Sequence, residues 1–110
     1  MKYNVRIMKP AQIDLHETYI HIAEELKNPE AAIRRVSLID DKIQSLKNDP
    51  FRIPLVRDDY LASKGYRMII AKNHLVFFII RDEIKMISIM RILYSRRDWM
   101  HILQVDEEKM

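Results

Sequence analysis

Ile87-Ser88-Ile89-Met90-Arg91-Ile92-Leu93-Tyr94-Ser95-Arg96-Arg97-Asp98-Trp99 carries two kinds of local structure in succession. Its first part, with the preceding Lys85, reads as a strand to about Leu93. β-Branched and apolar residues dominate there, and Arg91 falls at strand period with Ile87 and Ile89. Its second part reads as a helix start. Ser95 and Asp98 make a capping-box-like pair, with Asp98 where Glu is usual. A short helix is expected from Arg96 to Leu103, burying Trp99, Ile102 and Leu103. From Gln104 the chain turns acidic, and residues 104–110 are expected to be a frayed tail.

Upstream of this stretch, two more strands complete a sheet. Leu75 to Ile80 is nearly all apolar, which suits a central strand, and Tyr66 to Ala71 precedes it. The polar connectors Lys72-Asn73 and Asp82-Glu83 are short, so the three strands form an antiparallel meander. Asn48 to Gly65 has Pro50, Pro54, mixed charge and no sustained period; so long a connection is usually functional or mobile. Further back, Ala11–Lys27 places Leu15, Tyr19, Ile22 and Leu26 at helical spacing. Asn28 and Pro29 cap and open a second helix, running to about Lys47 on an Ala32, Val36, Ile39, Ile43 and Leu46 stripe. The short linker makes the two helices an antiparallel hairpin. At the start of the chain, Tyr3, Val5 and Ile7 alternate with Lys2, Asn4 and Arg6, a strand with one face buried.

The order is β-α-α-β-β-β-α. It implies an α+β fold: a mainly antiparallel sheet with a helical hairpin on one face and a short C-terminal helix. The other face of the sheet is expected to be free for function. The 110 residues fit one domain, 1–110. A content of 48% hydrophobic and 32% charged residues is globular usage rather than disorder. No cysteine is present, which removes disulfides, zinc–thiolate centres and cysteine nucleophiles. The single glycine leaves no room for a phosphate-cradling Gly-rich loop. His16 and His21 lie on different faces of their helix, so they do not pair as metal ligands. No cofactor and no metal are expected. The N-terminal alternation is unlike a secretory signal, and the run Leu75–Ile80 is too short to span a bilayer, so a soluble cytoplasmic protein is expected.

Charge is unevenly spread. Residues 1–63 balance ten Lys/Arg against ten Asp/Glu, residues 64–97 carry a net +6, and residues 98–110 a net −3. A basic cluster of this kind attracts polyanions or acidic partners, unless it is simply a solvated face.

The stretch Ile87 to Trp99 resembles the last strand and following turn of the RelE/ParE superfamily of type II toxins. The features are an apolar alternation ending in Arg, then an aromatic, then an Arg-Arg-Asp-type helix start. Gly65-Tyr66-Arg67 followed by Leu75–Ile80 resembles the family's hairpin, and the helical hairpin ending at Leu46 and Pro50 is a weaker match. Together these cover about residues 3–103. The resemblance implies a growth-arresting toxin with a small antitoxin as its partner. RelE-like members cut mRNA on the ribosome without a metal, whereas ParE-like members inhibit DNA gyrase and have no nuclease chemistry.

For RNA cleavage the resemblance nominates Arg67, Arg91 and Arg97 to stabilise phosphate charge, with Tyr94 and His74 as proton carriers. An unperturbed tyrosine pKa of about 10 has to be lowered for Tyr94 to act as a base, while a histidine near 6.5 titrates unaided. Lys64, Arg67, Lys72, Arg96 and Arg97 are candidate contacts to nucleic acid or partner. Many RelE-like ribonucleases carry an Arg where this chain has Asn73-His74. A His there can move protons but is not a permanent charge. Structural alternatives stand beside each role: Arg91 pairing with Asp98 or the C-terminal region, Tyr94 capping the sheet edge, Trp99 in the core. The Arg/Tyr/His constellation favours a ribosome-dependent endoribonuclease. The long hairpin and Ala31-Ala32 point toward gyrase inhibition. A non-catalytic antitoxin- or nucleic-acid-binding protein is the third reading.

Overall fold

Two prolines decide where the first helices begin. In the computed structural model, which describes residues 2–109, Pro10 sits in the first turn of α1 (Lys9–Ile20) and Pro29 opens α2 (Pro29–Gln44). Met1 and Met110 lie outside the described residues, and with them the ends of the expected 1–110 domain and of the expected tail. Past Ile20 the first helix widens into a π-helical turn, His21–Glu25, and is broken by Lys27 at φ +52°. Asn28 then caps α2 by accepting from the Ala31 N–H at 3.1 Å. The stripe of α2 is buried as its spacing predicts, with Ala32, Ile39 and Ile43 inside. On α1 the buried residues are instead Ala11 and Asp14, and Leu26 is well exposed.

The sheet runs β1-β4-β3-β2, from β1 (Asn4–Ile7), β2 (Tyr66–Ala71), β3 (His74–Arg81) and β4 (Met86–Tyr94). The meander β2-β3-β4 is antiparallel and β1 joins β4 in parallel, so the sheet is mixed. A bulge interrupts β4. Phe78 faces Ile89 while Phe77 faces Arg91, so Met90 is the extra residue. The bulge reverses the alternation. Ile87 and Ile89 enter the core beneath the helical hairpin, and Arg91, expected in phase with them, pairs with Phe77 of the opposite core.

That opposite face is covered, not free. Leu75, Phe77, Met90 and Leu93 are buried there against Leu61 of α3 (Asp59–Ser63) and Leu103 of α4 (Trp99–Lys109), with Trp99 packed at their edge. The reason is in β3 itself: a strand apolar on both faces must be covered on both. The 48–65 connection supplies part of the cover. It holds a 3-10 turn, Pro50–Arg52, and α3, which Asp58 caps by accepting from the Leu61 N–H at 2.9 Å. Gly65 closes it at φ +91°, where an L side chain is strained.

The C-terminal helix also differs from expectation. It begins at Trp99, with Asp98 accepting from the His101 N–H at 3.3 Å, while the Ser95 N–H bonds the Asn73 carbonyl at 2.8 Å. It continues to Lys109 rather than fraying after Leu103. Leu103 is fully buried, and Tyr66 Oη donates to Glu107 at 2.6 Å. Among the described residues no helix is long and apolar enough to cross a membrane.

Candidate functional site

The tip of the β2-β3 hairpin meets the end of β4. Lys72 turns the chain at φ +56°, and His74 and Tyr94 face each other across the two strands. Their rings lie edge to face, 5.8 Å between centroids. The π-helical turn and α2 rise beside this tip and enclose a groove of about 550 Å³. Arg35, Asn73, His74, Tyr94 and Arg97 line it, with Asp14 and Glu17 of α1, Ile22 of the π-helical turn and Leu26 just beyond that turn.

Within the groove Arg35 is the organising cation. Its Nη1 donates both to Asn73 Oδ1 and to His74 Nδ1, the latter at 3.2 Å. Accepting at Nδ1 leaves the His74 proton on Nε2. Burial, and secondarily the Arg35 charge, push His74 down to about 4, so the ring is neutral at physiological pH. Tyr94 is 39% exposed, and Arg97 is exposed at the groove with no ion pair among the described residues.

Arg91 stands apart from this groove chemistry. Its Nε and Nη2 reach the two oxygens of Asp14 at 2.7 and 2.9 Å, and its Nη1 reaches Asp106 at 3.0 Å. Asp14 also accepts the Ile92 N–H at 2.9 Å. The register explains that bond. β1 stops pairing at Ile7–Ile89, so the edge of β4 beyond it has no strand neighbour, and the Asp14 carboxylate takes the place of one. The hydrogen bond to Asp14, reinforced by Asp106, holds Arg91 firmly protonated against the cost of its burial. The expected C-terminal partner of Arg91 is present in Asp106. The Asp98 alternative is not the contact made.

The other nominated residues lie elsewhere. Arg67, toward the opposite end of β2, donates to the Ile53 carbonyl and stacks 5.1 Å from the centroid of Phe51. It ties down the 50–55 segment, which also bridges to it through Leu55. Lys64 lies 5.6 Å from the Tyr60 ring centroid. Lys72 and Arg96 are exposed near the tip. Thus His74, Tyr94 and Arg97 come together, and Arg67 and Arg91 do not join them. Two residues of consequence went unnominated. Arg35 follows Ala32 by three positions and precedes Ile39 by four, so the α2 stripe places it at the margin of the core. Asp14 follows Ala11 by three, on a buried face that the apolar stripe of α1 did not trace. Among the described residues no group of three or more His, Cys, Asp or Glu is arranged to hold a metal ion.

The profile of the family described as "ParE toxin of type II toxin-antitoxin system, parDE" matches residues 5–99. The chain belongs to the ParE toxin family. It is a toxin of the type II toxin–antitoxin class, as its RelE/ParE-like motifs implied. Two solved structures share the fold of this ParE-family chain. The chromosomal ParDE system of P. aeruginosa matches at a TM-score of 0.71 and 21% identity, over 86% of this chain and 98% of that one. The RelBE2 toxin–antitoxin complex of Mycobacterium tuberculosis matches at a TM-score of 0.61 and 19% identity, over 86% of this chain and 99% of that one. No curated protein matches the sequence. The family match takes in the groove, with Arg35, His74, Tyr94 and Arg97, and ends at Trp99, so Asp106 and Glu107 lie beyond it.

Proposed function

We propose that this ParE-family toxin arrests growth by binding DNA gyrase, without nuclease chemistry, and that a small cognate antitoxin neutralises it. The observation that carries the reading is the engagement of Arg91 by Asp14 and Asp106. A metal-free ribonuclease must meet the growing negative charge of its phosphorane with unpaired cations. Here that guanidinium faces two carboxylates instead. His74 is a poor base for the same reaction, since Arg35 occupies the lone pair at Nδ1. The leading sequence-level reading, a ribosome-dependent endoribonuclease, therefore becomes the second one. It retains support from Tyr94 and Arg97 at one groove, where Tyr94 would move a proton and Arg97 would bind phosphate.

The purified chain should abolish supercoiling by gyrase and leave mRNA intact in a translation extract. Ribosome-dependent mRNA cuts that vanish in Tyr94→Phe would overturn this in favour of the endoribonuclease. No effect on either target, with normal growth on expression, would leave a binding protein without toxicity.

A further inference from the structure

Arg35 is held in an unusual way. The guanidinium is half-buried and fixed at Nη1, yet both of its partners, Asn73 and His74, are neutral. No carboxylate compensates it among the described residues. The contrast with Arg91 is direct, since that guanidinium spends its donors on two acids. Among the described residues the Nε–H and both Nη2–H groups of Arg35 have no protein acceptor, so a pre-oriented fork is left for an oxyanion. The Arg97 guanidinium lines the same groove.

The rest of the groove restricts which oxyanion fits. Ile22 lines its wall on the π-helical turn, and Leu26, just beyond that turn, is 61% exposed. A widened helical turn displaces side chains from their regular positions, and such turns concentrate at functional sites. Two acids of α1 also line the wall, Glu17 and the Arg91-paired Asp14. Acids along the groove oppose a polyanionic backbone more than a single anion held by the free donors of Arg35. An isolated carboxylate beside an apolar side chain satisfies both walls; a run of phosphates satisfies the arginines but leaves Ile22 and Leu26 uncovered.

We propose that this groove is a docking site for a peptide segment of a protein partner, an apolar side chain against Ile22 and Leu26 and an adjacent Asp or Glu carboxylate on Arg35. Arg35 is the specificity-determining residue, and Asn73 and His74 position it. That neither partner is an acid is part of the device, because a carboxylate at either position would satisfy Arg35 internally. The inference holds whether the toxin acts on gyrase or on the ribosome, and its test reads binding rather than toxicity.

The test is fluorescence anisotropy of the full chain with labelled peptides carrying Leu-Glu-Leu, against matched peptides carrying Leu-Gln-Leu. The Glu peptide is expected to bind at least about tenfold more tightly. Arg35→Gln should remove that preference. Asn73→Asp, which keeps the cation but hands it an internal carboxylate, should do the same. Arg34→Gln removes an equal charge from the neighbouring exposed position and should leave the preference intact. Equal binding of the Glu and Gln peptides overturns the proposal, as does absence of binding by either. An equal loss in Arg34→Gln reduces the effect to bulk charge and overturns it too. Displacement of the Glu peptide by single-stranded RNA, dependent on Arg35, would reassign the groove to nucleic acid.

Discussion

Asp14 does three jobs with two oxygens: it takes two Arg91 donors and the Ile92 N–H. It is nearly enclosed, so neutralising it leaves the largely buried Arg91 cation with Asp106 as its only carboxylate among the described residues. Asp14→Asn should cost about 3 kcal/mol of stability, measured by urea denaturation. A loss below about 1 kcal/mol would mean that the pair is solvated rather than structural. Arg91→Gln should lose stability and activity in parallel. An Arg91→Gln chain with full stability and no activity would return Arg91 to a chemical role. His74 makes a different prediction. Its folded pKa of about 4 lies below the ordinary 6.5, so the unfolded chain takes up the proton first. Stability from this group is intact above about pH 6.5 and falls toward pH 4, by at most about 3 kcal/mol. His74→Gln should flatten that portion of the pH profile relative to the parent chain. Coincident profiles would show that the imidazole is not kept neutral by the fold.

At the scale of elements, α4 is the part whose role the linear pattern concealed. Leu103 is its only fully buried side chain, and Asp106 and Glu107 reach Arg91 and Tyr66. Burial and the Glu107 carboxylate both push the Tyr66 phenol upward, so it stays a donor throughout the working range. Leu103→Ala should destabilise by about 2–5 kcal/mol through the cavity it leaves. Asp106→Asn with Glu107→Gln should raise amide exchange in α4 selectively, while β2 and β3 keep their protection. Uniform loss across the sheet would show instead that the helix is part of the global folding unit. The β4 bulge belongs to the same scale. Deleting Met90 leaves Ile89 and Arg91 consecutive opposite Phe78 and Phe77, so Arg91 and Leu93 should keep their facing while the second core loses the Met90 side chain. The expected result is a folded chain with a lower urea midpoint, and an insoluble or molten chain would show that the kink of the bulge is itself required.

At the scale of the whole molecule, two cores share one sheet. Val76 and Phe78 of β3 point into the core under the helical hairpin, while Leu75 and Phe77 point into the core under α3 and α4. Adjacent residues of one strand therefore couple the two cores. Unfolding should be a single cooperative transition, and Ile39→Ala and Leu103→Ala, one in each core, should each lower its midpoint. Two separated calorimetric transitions would contradict this coupling. The charge distribution is also resolved at this scale. The acidic C-terminal residues fold back onto the basic 64–97 segment through Asp106 and Arg91. Much of the remaining positive charge is left at the tip, on Lys72, Arg96 and Arg97, where a partner can reach it.

Local pattern was enough for the strands, the two long helices, the element order and the α+β class, because apolar period, prolines and polar connectors act over a few residues. The family resemblance, not local pattern, nominated His74, Tyr94 and Arg97, and it named Arg67 and Arg91 with them; only the first three line one groove. Three things were decided only in three dimensions. A one-residue bulge set the facing of Arg91, and a bulge leaves no mark on an alternating apolar run. The cover over the second sheet face came from a connection and a tail that look irregular or polar when read alone. The pairing of Asp14 with Arg91, and of Arg35 with Asn73 and His74, joins residues far apart along the chain. Such partners are chosen by which strand edge is left bare and which cation lacks an acid, and neither is defined until the sheet has been assembled.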